Sequence, residues 1–94
     1  MEFEWDPSKD ATNQRKHGIS FREASTVFGD SLALTIADPD HSFEEQRLLT
    51  TGYSSDGRLL IVAHTYRETR IRVIGARTVT AGEREKYEQG DKEK

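Results

Sequence analysis

The chain has 94 residues, 33% of them hydrophobic and 33% charged, with 17 acids against 14 lysines and arginines, a net charge of −3 and no cysteine. This composition gives one domain with a modest core and excludes a disulfide framework or a thiolate metal site. The absence of any apolar run near the ~20 residues of a membrane span, and of an h-region in the N-terminal MEFEWDPSKD, predicts a cytoplasmic, membrane-free protein.

The alternation Glu2-Phe3-Glu4-Trp5 predicts a short first strand. Asp6-Pro7 then opens a helix, with Asp6 as cap and Pro7 at the first helical position. That helix runs to about His17, where Lys16 and His17 complement the helix dipole and Gly18 provides a left-handed stop. Ser20-Phe21-Arg22-Glu23 has the capping-box pattern and starts a second helix, with Phe21, Ala24, Val27 and Phe28 as its apolar face. Leu32 to Ala37 reads as a strand, Asp38-Pro39-Asp40 as a turn and His41 to Glu45 as an exposed acidic loop. Another strand follows over Arg47 to Tyr53, and Ser54 to Gly57 forms a tight turn. Two long strands, 58–67 and 70–78, are joined around Glu68-Thr69. Thr80 and Glu83 form a second capping box for a last helix reaching about Tyr87. The whole is a single α+β domain over 1–88, with a frayed charged tail at 89–94.

The stretch Arg58 to Arg77 concentrates chemistry. It carries Arg58, Arg67, Arg70, Arg72, Arg77 and His64 against the single acid Glu68. Guanidinium forks suit phosphate and transition-state oxyanions; equally, these arginines can pair with the surplus acids. In a regular strand Arg72 and Arg77 point oppositely, and a bulge near Gly75 brings them to one side. His64 shares strand parity with Val62 and Tyr66 and reads either as a proton-transfer group or as a satisfied, half-buried histidine. Tyr66 either stacks on a base or packs. No metal constellation and no phosphate-binding glycine loop occur among the motifs, so no cofactor is expected. A 2′-hydroxyl supplies its own nucleophile, so RNA cleavage requires only proton-transfer groups and cations.

The order of the local motifs adds a further expectation. W-D-P-x-K (Trp5 to Lys9) is followed by N-x-x-K-H-G-I-S-F (Asn13 to Phe21) and A-x-x-V-F-x-D (Ala24 to Asp30). Then come E-x-R (Glu45 to Arg47), V-x-H-T (Val62 to Thr65), R-x-R-V-I-G-A-R (Arg70 to Arg77) and E-R-x-x-Y (Glu83 to Tyr87). This series, spanning residues 3 to 87, resembles the BrnT family of type II toxins. The resemblance implies a RelE-like fold, with two N-terminal helices packed on a mostly antiparallel sheet of four to five strands and a short C-terminal helix. It implies a metal-independent ribonuclease that blocks translation. Its cognate antitoxin would be a BrnA-like ribbon-helix-helix protein, through which alone operator DNA is bound. Carried onto this sequence, it makes Arg72 and Arg77 phosphate holders and His64 the proton-transfer group. Glu83 becomes a base, and Tyr87 a positioning group. Lys16, His17, Arg47, Tyr66 and Arg67 become RNA contacts. Gly75 stands where the family motif usually has serine. Two other readings compete: a non-catalytic protein-binding module of the same fold, and a direct DNA binder, which the acidic balance disfavours.

Overall fold

The computed structural model describes residues 1–40 and 46–90; the acidic loop expected at His41 to Glu45 lies outside the described residues. The elements run β1 (Glu2–Glu4), α1 (Pro7–His17), α2 (Phe21–Ser25), a 3-10 turn (Thr26–Gly29), β2 (Leu34–Ala37), β3 (Leu48–Tyr53), β4 (Leu59–Arg67), β5 (Arg70–Thr78) and α3 (Ala81–Gln89). Gln89 and Gly90, expected to fray with the tail, are the last residue and the C-cap of α3; residues 91–94 lie outside the described residues.

Local signals fix most boundaries. The Asp6 side chain accepts from the Ser8 N–H, and Pro7 fills the first turn of α1. Gly18 ends that helix at φ 70°, a left-handed conformation that disfavours any residue with a Cβ. Both halves of the capping box are present at Thr80 and Glu83. At Ser20 only one half forms: its hydroxyl accepts from the Glu23 N–H. The Glu23 carboxylate is drawn away to Arg58 and to the Ser54 hydroxyl, because a charged donor on a neighbouring strand outcompetes a local backbone N–H. The β4–β5 hairpin turns at Glu68, which accepts φ 56°.

The five strands form one mixed sheet in the order β1-β5-β4-β3-β2, with β1 parallel to β5 and the other pairs antiparallel. One face carries the core. Leu60 and Val62 of β4 and Val73 and Ala76 of β5 pack under Ile19, Phe21, Ala24 and Val27, with Phe3, Trp5 and Phe28 around them. Trp5 meets Phe21 edge-on and Phe28 tilts against Phe3, which ties the first strand to α2 and the 3-10 turn. The expectation that both N-terminal helices lie on the sheet is corrected here. Helix α2 covers the sheet, whereas α1 flanks the edge of β5. The reason is composition: α1 (PSKDATNQRKH) has almost no apolar side chain to bury. It is held instead by Asn13. That side chain donates to the carbonyls of Ile19 (2.8 Å) and Ala76 (3.0 Å) and accepts from the Ala76 N–H (3.1 Å). β1 pairs with β5 only as far as Arg72, so Asn13 satisfies backbone groups on an edge that no strand covers.

Candidate functional site

The late strands carry a β-bulge. Ala63 pairs with Gly75 and His64 with Val73, leaving Ile74 as an extra residue on β5. The bulge resets the side-chain parity of β5. Arg72, paired with Thr65, and Arg77, paired with Ile61, therefore share one face, opposite the helix-covered core. Their backbone positions lie roughly 13 Å apart along the sheet, four pairs of the β4 register.

That open face is bounded on two sides. The last turn of α1 brings His17 against a recess of about 210 Å³ whose floor is Leu49, Ile61, Ala63 and Gly75, with Arg77 on its rim. Lys16 lines a neighbouring depression with His17 and Ile74. At one end α3 crosses over. Glu83 receives both terminal nitrogens of Arg77, at 2.9 and 2.8 Å, in an end-on fork. Tyr87 donates to the Asp30 carboxylate at 2.6 Å and packs edge-on against Tyr53, while Arg84 donates to the Tyr53 hydroxyl.

The guanidinium groups are not bare. Arg77 is paired with Glu83, Arg72 with Glu4 (2.9 Å), Arg70 with Glu2 and Glu4, and Arg58 with Glu23. Arg58 turns to the helix side, reaching also the Gly18 carbonyl. Of the two readings open for these arginines, pairing with the surplus acids is the one realised for Arg58, Arg70, Arg72 and Arg77. Arg77 nevertheless keeps recognition capacity. A guanidinium has five N–H donors. Glu83 and the Thr78 carbonyl occupy those on the terminal nitrogens except one, and Nε has no partner among the described residues. The side-on fork of Nε and the second terminal nitrogen remains open to a phosphate.

Several predicted roles change on geometry. His64 is fully buried on the helix-covered face, opposite Arg72 and Arg77. Its Nε2 is 2.8 Å from the Thr50 hydroxyl, which meets the Thr35 hydroxyl at 2.7 Å, and Phe28 stacks edge-on at 4.8 Å. Burial pushes its pKa down to about 4. It sits in the core with no exposed surface, away from the open face. Glu83 is bound by Arg77 and the Thr80 N–H, and the guanidinium holds its pKa down near about 2. So weak a base does not match neutral-pH proton abstraction. Its carboxylate instead holds both terminal nitrogens of Arg77. The Tyr87 hydroxyl is taken by Asp30, and burial with that carboxylate pushes its pKa up to about 12; it anchors α3. Tyr66 follows His64 in parity, is 58% exposed and lies 5.8 Å ring to ring from it, away from the arginines. Arg67 pairs across the hairpin tip with Arg70 on the open face. Arg47 precedes β3, and its Nε is buried without a partner among the described residues. The open face therefore gathers His17, Lys16, Arg67, Arg72, Arg77 and Glu83. Asn13, which borders the recess, was not among the predicted site residues, whereas Gly75, named for the bulge, lines it. A mid-helix asparagine, a poor helix former, is the signal that pointed to Asn13. Among the described residues no three His, Cys, Asp or Glu side chains cluster as metal ligands would.

The chain is thus a small α+β domain with one sheet face buried under α2 and the 3-10 turn and the other edged by paired arginines and a histidine. The chain belongs to the family described as the ribonuclease toxin, BrnT, of type II toxin–antitoxin systems, whose model matches residues 5–83. A solved relative in fold is the Brucella abortus ribonuclease toxin BrnT, at 22% identity and a TM-score of 0.67, covering 85% of this chain and 97% of that one. Comparison with curated proteins gives no match. Membership of a ribonuclease toxin family places RNA and an antitoxin as the two classes of partner. No helix among the described residues is long and apolar enough to cross a membrane.

Proposed function

We propose that this protein is a metal-independent endoribonuclease that cuts single-stranded RNA on the open sheet face and thereby blocks translation in the cytoplasm. The observation that carries this reading is the bulge-imposed placement of Arg72 and Arg77 on one face, the face walled by His17, with the side-on fork of Arg77 unoccupied among the described residues. In the reaction the 2′-oxygen attacks the adjacent phosphorus, the bond to the 5′-oxygen breaks, and a 2′,3′-cyclic phosphate and a 5′-hydroxyl result. One proton leaves the 2′-hydroxyl and one reaches the 5′-oxygen. His17 is the exposed imidazole at the recess and fills a proton-transfer role there. Arg77, and Arg72 further along the strand, hold the negative charge that grows on phosphate. Glu83 keeps the Arg77 guanidinium in plane.

A cognate antitoxin of the BrnA-like, ribbon-helix-helix class neutralises the toxin by laying an acidic segment across this face, replacing Glu4 and Glu83 as partners of the arginines. Operator DNA is bound through the antitoxin alone. The test is cleavage of a defined RNA in EDTA by purified protein beside His17→Ala and Arg77→Ala. Cleavage by the parent, lost in both variants, supports the reading. Intact RNA with the parent protein overturns it and favours a binding module of the same fold, for which the carboxylate matching of each arginine is the specific argument.

A further inference from the structure

We infer that the recess beside Arg77 is a nucleobase subsite, which receives one unstacked base of the RNA while the attached phosphate meets the open fork of Arg77. The inference rests on reading this face as the RNA site, and it adds what the site recognises first. Four observations carry it. The sheet side of the recess is lined by the apolar residues Leu49, Ile61 and Ala63 of adjacent strands and by Gly75. The volume, about 210 Å³, is below the ~300–1,000 Å³ typical of a site for a whole small molecule. It suits a single planar heterocycle with its sugar and phosphate left outside.

The third observation is Gly75. A Cβ built there meets nothing closer than the Asn13 Oδ1 at 3.9 Å. The glycine is thus not required by packing; the absent side chain is what leaves the cavity open. The fourth is the rim. An imidazole (His17) and a guanidinium (Arg77) are both among the side chains on which RNA bases stack. Duplex RNA keeps its bases stacked and paired, so the recess admits a base only from a single strand or a loop. Asn13 spends both amide protons on backbone carbonyls and so reads no base edge. Shape and stacking, rather than a hydrogen-bond code, dominate the subsite.

The experiment is binding of nucleoside 3′-monophosphates, ribose 5-phosphate and inorganic phosphate to the whole protein, followed by amide shifts in solution. No cleavage is involved, so the result is independent of whether RNA is cut. Nucleotides should bind at least about tenfold more tightly than ribose 5-phosphate, with shifts centred on Leu49, Ala63 and Gly75. Gly75→Val, whose branched side chain suits a strand, should erase that advantage while leaving phosphate affinity unchanged. Gly75→Ala should retain part of it and reports on folding. Equal affinity of nucleotides and ribose 5-phosphate overturns the subsite, even where RNA cleavage is observed. So does a nucleotide preference that survives in Gly75→Val. Nucleotide binding in the recess with no RNA cleavage sustains the subsite and overturns the nuclease reading instead.

Discussion

Replacing His64 by glutamine should flatten the acid limb of the stability curve without removing RNA cleavage at neutral pH. The imidazole is fully buried against Phe28, and Thr50 serves its Nε2. A charged ring carries an N–H on both nitrogens, and Nδ1 has no acceptor among the described residues. Burial therefore lowers its pKa from 6.5 to about 4. The sign follows from linkage. Below about pH 6.5 the unfolded chain takes up a proton that the folded state refuses, so stability falls as pH drops and levels off below about pH 4. The full effect is about 3 kcal/mol, and about 2 kcal/mol is already lost at about pH 5. Against a typical total of ~5–15 kcal/mol this is a large fraction. Urea unfolding of both proteins at about pH 7 and about pH 5 measures it as a difference of differences. Any loss of packing in the glutamine variant cancels in that comparison. Parallel pH dependences, or an NMR titration of the His64 ring near its ordinary value, would refute the burial argument. Loss of cleavage by the folded variant at neutral pH would restore a catalytic role to His64.

Asn13→Ala should cost about 2–3 kcal/mol in urea unfolding, because three backbone groups of Ile19 and Ala76 lose their partner at a buried edge. Glu83→Gln should retain more cleavage than Glu83→Ala, since glutamine still caps Thr80 and accepts from Arg77; equal loss in both variants would instead identify a base. Because the Arg77 guanidinium holds Glu83 down to about 2, the support this pair gives to folding should be complete above pH 4.5, fall steadily as pH drops below that value, and be gone once pH passes about 2. Acid titration of the Glu83 carboxyl by NMR checks this directly. Tyr87→Phe should destabilise by about 1.5–3 kcal/mol through the lost bond to Asp30, with kcat for RNA unchanged.

Local chemistry was legible in the sequence to within a residue or two. Pro7, Gly18 and the Thr80–Glu83 box set helix ends by forces acting over one turn. The Ser54–Gly57 and Glu68–Thr69 turns delimit strands that form as read. The family, too, followed from the order of motifs. The sequence placed His64 on the face of Val62 and Tyr66 but left open whether β5 is regular or bulged near Gly75 and which face is the core, and the reason lies in the sheet. Parity along β5 reverses at Ile74, and that bulge is fixed by pairing with β4 rather than by any residue of β5 alone. The same pairing sends His64 into the core and brings Arg72 and Arg77 together on the other face. Likewise Arg72 meets Glu4 across 68 positions of chain, and Asn13 reaches Ala76 across 63. Capping and turning are decided among neighbours in sequence. Burial, charge pairing and the open recess are decided by neighbours in space, which exist only once the strands have aligned.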